Sequence, residues 1–415
     1  MSSAQDNHAK GKAAEKLLER VAGHAYHPSF CFPNPEDPTT RKEICDMLVV
    51  CGTRAIIWQV KSLKKHDSGS FKKAEVNKAI RQCRGARRKL EKLGNVTLTA
   101  SDGQSYKVDF SKVTACHQIA VFIGDNPDFI GFYDDESNPG VHLFTDAFAQ
   151  KSLSYLNTIA DLAEYLAAKE KLLHKTKTSM ILSGDESNLL AYYLEHKRTF
   201  SPLDKQTKNS NMVFFDADSL WNEFIKSDHF KRKNRADFIS GGWDYMIHLT
   251  AEQVGHSPDR AMARRLVAIL SSLSRVERRA LSDAFMDGWD IAAKQEPKRL
   301  YRRLSPVEIN GEKVMFVFQW LGEDNLKDRE LRKDMLTLTG LVARKVHPEY
   351  TTVVGITSEQ TIGQDSPMDF MLLDLTDKNW TKELQDRADL AQDKLGILKD
   401  VKMTKTTTYE FPDEK

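Results

Sequence analysis

The stretch Lys42-Glu-Ile-Cys-Asp-Met-Leu-Val-Val-Cys-Gly-Thr-Arg-Ala-Ile-Ile-Trp-Gln-Val-Lys-Ser62 decides how this chain is read. Two runs rich in β-branched residues, 44–50 and 55–60, flank Cys51-Gly52-Thr53-Arg54 and predict a β-hairpin. With Gly52-Thr53 as a two-residue loop, Cys51 pairs with Arg54, and Asp46 falls opposite Gln59. Side chains alternate faces, so Lys61 shares a face with Gln59 and Asp46, and with Ile44, Leu48, Val50, Ala55 and Ile57. Three polar groups thus sit at one end of an apolar face. Burying a carboxylate or ammonium there is costly unless something compensates, and a local rule broken this way is a signature of function. A carboxylate, an amide oxygen and a lysine at a strand end are suited to holding Mg²⁺ and a water beside a phosphodiester. The alternative is an exposed edge hairpin with a rim salt bridge.

The chain has 415 residues, enough for two or three domains. Hydrophobic residues make up 40% and charged residues 29%, a globular composition. Net charge is only +2, so a nucleic-acid footprint has to be local. The five cysteines are scattered without a Cys-x-x-Cys pair, which argues against a zinc ribbon or a disulfide framework and for a reducing compartment. The first residues lack an apolar signal core, and no apolar run is long enough to span a bilayer. A cytoplasmic location without a membrane partner is expected.

Upstream, residues 10–23 are rich in helix formers, with Ala14, Leu17, Leu18 and Val21 as an apolar stripe and Glu15 on its edge. Glu15 reads either as an accessory metal or water ligand or as a solvated flank residue. A proline-rich connection then leads into the hairpin. Downstream, the 61–92 segment holds twelve Lys or Arg against three Asp or Glu. Its core, 78–93, predicts a helix with Arg81, Arg84, Arg88 and Lys92 on the polar side and Gln82 beside the apolar stripe. Such a helix suits a phosphate backbone, or is simply a solvated amphipathic helix. A β-ribbon at 95–110, strands at 117–124 and 141–144, and a helical region at 146–174 complete an α/β domain ending near residue 180, with His117 read as a core-edge histidine.

Asp46, the Gln59-Val60-Lys61 triplet on the same hairpin, and the upstream Gly11-Lys-Ala-Ala-Glu15 together resemble the PD-(D/E)XK nuclease superfamily. The resemblance implies a restriction-endonuclease-like fold, a mixed sheet flanked by helices, over residues 1–180. It implies Asp46 and Gln59 as ligands of Mg²⁺ or Mn²⁺, Lys61 as the catalytic lysine and Glu15 as the accessory acid. Cys45 stands where the family has proline. Gln59 replaces the usual acid, giving the QxK variant of Mrr-type restriction enzymes and removing one negative charge, which Glu43 or Glu15 can restore. Segments like 42–50, 82–86 and 156–166 also resemble a group of bacterial proteins. The expected function is metal-dependent hydrolysis of DNA, double-stranded DNA being favoured, in bacterial defence against foreign DNA. Arg81, Gln82, Arg84, Arg88 and Lys92 are the expected DNA contacts. A homodimer or a defence-system partner protein is a further expectation. The rival is a nuclease fold that has lost cleavage and serves as a DNA-binding or assembly module.

Residues 181–415 predict a second α/β domain for recognition, sensing or dimerisation. The run 212–219 matches an Asp-x-Asp phosphatase motif only superficially, since a helix follows and Asp218 reads better as its cap. Arg264-Arg265 and Arg278-Arg279 are expected to be exposed on helices spanning 258–296.

Overall fold

The computed structural model describes residues 16–21, 23, 26–63, 73–123, 132–134, 136, 139–175, 179–182, 185–203, 212–215, 219–295, 300–322, 328–359, 368–399, 401 and 408–412. Glu15 and Asp218 lie outside them.

The protein is mixed α/β and divides into two compact units, Met1–Asn234 with Tyr409–Lys415, and Arg235–Thr408. The first unit is built on a six-stranded mixed sheet of β1 (Cys31–Pro33), β2 (Met47–Cys51), β3 (Arg54–Ser62), β6 (Ala115–Ile123), β8 (Val141–Thr145) and β7 (Tyr133–Asp134), in that spatial order. A ribbon of β4 (Asn95–Thr99) and β5 (Ser105–Asp109) stands apart as its own antiparallel pair. The hairpin takes the expected register, Cys51 opposite Arg54 and Met47 opposite Trp58, with Gly52 at φ 59° in its turn. β3 then runs parallel to β6, and β6 parallel to β8.

Helix α1 (Lys73–Leu93) covers one face of this sheet. Its Ala86 and Leu90 pack with Leu48, Val50, Ala55 and Ile57 of the hairpin. Its Ala79, Ile80 and Cys83 pack with Ala120, Phe122 and Leu143. The other face lies under α2 (Asp146–Tyr155) and α3 (Ile159–Lys175), where Trp58, Phe144 and Phe148 make successive edge-to-face contacts. The predicted single helical region is broken at Leu156–Thr158, and Thr145 caps the first half through the Phe148 amide.

The first unit extends beyond residue 180, contrary to the expected boundary. A short parallel pair, β9 (Ser179–Leu182) and β10 (Met212–Phe215), and the helix α4 (Ser187–Glu195) belong to it. Long-range contacts hold this added layer to α3. Tyr165 packs on Tyr193, the Arg198 guanidinium pairs with Asp161, and Arg198 Nε donates to Glu410 Oε2 at 2.6 Å. Burial pushes the Asp161 carboxyl up, but the Arg198 charge and the hydrogen bonds from Arg198 and Thr158 outweigh it and hold it below its usual value. A carboxylate with a depressed folded pKa contributes stability above its unfolded pKa, and that stability is lost as pH falls through the folded value. Melting the protein between pH 7 and pH 3 therefore shows a steep loss of Tm below about pH 4, and Asp161→Asn makes that acid limb shallower while lowering Tm at neutrality. An acid limb identical in the variant contradicts this assignment.

The second unit centres on a four-stranded sheet of β11 (Tyr301–Ile309), β12 (Glu312–Leu321), β13 (Thr352–Glu359) and β14 (Asp369–Asp374), only β12 and β13 being parallel. Asn310-Gly311 turns β11 into β12 with φ 54° and 81°, the two positive angles of a tight hairpin turn. Two helices, Arg329–Val346 and Lys382–Leu395, cover one face through Leu336, Val342 and Ala388. On the other face Trp243 meets Phe316 and Phe285 meets Phe318. Arg278 and Arg279 are buried rather than exposed. Arg278 bonds Asp244 and the carbonyls of Ser271 and Leu273, and Arg279 bonds Asp237, so each guanidinium is taken out of water against a carboxylate. No helix among the described residues is long and apolar enough to cross a membrane.

Candidate active site

Asp46 sits on the bend just before β2. The β2–β3 ladder stops at Met47–Trp58, so the Val60 amide has no partner on the β2 strand. The Asp46 carboxylate fills that role. Its Oδ2 accepts from Val60 N at 2.5 Å and from Gln59 Nε2 at 2.6 Å. The side chain expected opposite Gln59 is therefore bonded to it, and held at the open end of the hairpin.

Beside it, the Glu43 carboxyl hydrogen-bonds that of Asp46. Burial first, then the hydrogen bond and charge of Asp46, then the charge of Glu36, push Glu43 up to about 7. The Asp46 and Glu43 carboxyls stand together at the open end of the hairpin and make it a place of negative potential when both are ionised.

Lys61 lies on the same face, two residues beyond Gln59, and makes no ion pair among the described residues. It is half-buried. From α1 come Gln82, Gly85 and Lys89, and together with Glu43, Asp46, Gln59 and Lys61 they line an open cleft of about 570 Å³. Gln82 Oε1 is buried there without a hydrogen-bond partner. Lys89 is anchored by Asp37 at 2.8 Å, and Asp37, also bonded by the Thr39 and Thr40 amides, is held well below the usual carboxylate range. Cys45 is buried in the core with its thiol pushed up by burial.

The cleft thus brings together Asp46, Gln59, Lys61 and Gln82. Gln59 meets Asp46 with its amide nitrogen, so in this arrangement it acts as a donor that positions the carboxylate. Offering its oxygen beside Asp46 takes a half-turn of the amide. The neutral oxygen already free in the cleft is that of Gln82.

At about 100° per residue, Arg81, Arg88 and Lys92 form a single exposed stripe along the rim next to the cleft-lining side of α1. None of the three makes an ion pair among the described residues. Arg84 falls on the opposite flank, where Asp134 and Glu136 neutralise it. Sequence reasoning missed Lys89 in the cleft, because nothing in the helix marks which basic residue faces the hairpin.

No protein-family model matches the chain, and no curated protein does. Among solved structures, a putative family II inorganic pyrophosphatase of Methanococcus jannaschii aligns over 65% of this chain and 80% of its own, at 10% identity and a TM-score of 0.11. A likeness at that score carries no argument about fold or chemistry.

Proposed function

We propose that the first unit is a metal-dependent nuclease of the restriction-endonuclease-like kind, hydrolysing DNA phosphodiester bonds in the cleft between the hairpin and α1. The observation that carries this reading is the convergence of Asp46, Glu43, Gln82 and Lys61 in one open cleft, with an unpaired basic stripe along its rim. Mg²⁺ or Mn²⁺ suits the donor set. The adjacent carboxyls of Asp46 and Glu43 supply the charge, with Glu43 in place of the acid that Gln59 lacks, and Gln82 supplies a neutral oxygen. When bound, the ion polarises the scissile phosphate and lowers the pKa of a water. The chain's own groups do the rest. Gln59 and the Val60 amide hold Asp46 in place. The Lys61 ammonium stabilises the charge that develops on phosphorus. Arg81, Arg88 and Lys92 neutralise the flanking backbone, which fixes register without reading sequence. The restriction-enzyme likeness extends the proposal to double-stranded DNA as substrate and to defence against foreign DNA as the role.

The Gln59 amide on Asp46 favours a second reading, a DNA-binding or assembly module without cleavage. A metal-dependent thermal shift separates them. On the first reading, Mg²⁺ or Mn²⁺ raises the Tm of the wild type and not of Asp46→Ala. On either reading, replacing Arg81, Arg88 and Lys92 by alanine weakens DNA binding and lowers the slope of log affinity against log salt by roughly one per residue. Salt-sensitive binding with no metal-dependent rise in Tm supports the module and removes the nuclease.

A further inference from the structure

On the sheet face opposite the cleft, parallel β6 and β8 place His117 and His142 on neighbouring strands, and α3 brings Glu170 against both. His117 Nδ1 lies 2.9 Å and His142 Nε2 3.0 Å from the same oxygen, Glu170 Oε1. One donor atom from each of the three residues lies within 4.8 Å of the other two. His117 is 4% exposed and His142 fully buried, and the second ring nitrogen of each, Nε2 of His117 and Nδ1 of His142, has no hydrogen-bond partner. We propose that His117, His142 and Glu170 form a binding site for a divalent transition-metal ion of the Zn²⁺ class, separate from the oxygen-lined cleft.

With metal–nitrogen and metal–oxygen bonds of about 2.0–2.2 Å, tetrahedral ligands stand about 3.3–3.6 Å apart, so an ion replaces the two hydrogen bonds and the 2.9 and 3.0 Å contacts open by about half an ångström to admit it. Two imidazoles and a carboxylate select Zn²⁺ and its transition-metal neighbours, whereas the carboxylates and amides of the cleft select Mg²⁺ or Mn²⁺.

The neighbouring charges are accounted for. Lys169 Nζ is held by Glu186 Oε1 at 2.6 Å and the Phe132 carbonyl at 2.7 Å, and Tyr165 also donates to Glu186, so Lys169 does not compete for Glu170. Tyr133 and Phe144 pack their rings against His142 and close the surroundings. An ion here ties two strands to the helix that crosses them, from three separated parts of the sequence.

The test uses the full chain, stripped with a chelator and then given Co²⁺ or Zn²⁺. With the cleft filled by excess Mg²⁺, wild type and Asp46→Ala both take up about one Co²⁺ per chain, which develops visible d–d absorption. Zn²⁺ at about a hundred times its Kd raises Tm by about 5–10 °C. Glu170→Gln, which keeps size and shape, and His142→Phe, which keeps a buried ring, lose both signals while their far-ultraviolet circular dichroism stays that of the wild type. If the folded wild type shows neither absorption nor a Tm shift, the trio is a hydrogen-bonded bridge and the proposal is overturned. Uptake lost in Asp46→Ala, or kept in Glu170→Gln, places the ion elsewhere and overturns it equally.

Discussion

On the proposed reading, replacing Lys61 by alanine is expected to lower the rate of Mg²⁺-dependent plasmid cleavage by about 10²–10³-fold, the usual effect of removing one preorganised charge-stabilising group. The same variant keeps the Mg²⁺-induced rise in Tm. The two halves of this expectation follow from the cleft. Lys61 lies on the Gln59 side of the hairpin face and lines the cleft, and no acid among the described residues holds it. On the proposed reading it meets charge on phosphorus, and the Glu43 and Asp46 carboxyls hold the cation. A nicking time course beside a thermal shift with Mg²⁺ reads both effects. Cleavage within about threefold of wild type leaves Lys61 no part in the chemistry.

The second large effect is on stability. Lys169 is fully buried, bonded to Glu186, with the rings of Phe132 and Phe144 within 5.2 and 5.4 Å of its ammonium. Burial lowers the Lys169 pKa and raises that of Glu186, and the attraction between them opposes both changes. Such a pair adds little over an apolar replacement, but removing one member strands the other charge, at a cost of about 3–5 kcal/mol. Lys169→Ala is therefore expected to lower the Tm of the first unit by about 6–20 °C. The double variant Lys169→Met with Glu186→Gln recovers most of that loss, because no uncompensated charge remains. Equal Tm values in Lys169→Ala and wild type contradict the account of this pair.

What the sequence made legible was local. The hairpin register, the opposition of Asp46 and Gln59, and the apolar face beneath α1 all follow from period-two alternation and a two-residue turn. A comparable signal was overlooked at Asn310-Gly311. The Arg302-Arg303 pair and Pro306 mask β11 as polar chain, yet the Asn-Gly turn marks the hairpin plainly. Other features depend on partners distant in sequence. Arg278 and Arg279 look like a solvated pair on a helix, and only Asp244 and Asp237 make their burial affordable. The first unit's continuation past residue 180 is illegible for the same reason, since Arg198 is held by Asp161, 37 residues before it, and by Glu410, 212 residues after it. Arg84 reads with its neighbours as one basic footprint until Asp134 and Glu136 claim it. His117, His142 and Glu170 share no spacing at all, and meet only because β6 and β8 pair in parallel beneath α3.

The central claim, that the cleft at the hairpin end hydrolyses phosphodiesters, is tested most directly by incubating supercoiled plasmid with wild type and with Asp46→Ala, in Mg²⁺ or Mn²⁺ and again with a chelator. The account predicts nicked or linear product from the wild type with metal, none with chelator, and none from Asp46→Ala. Equal cleavage by both proteins, or intact plasmid from a folded wild type in either metal, would contradict it.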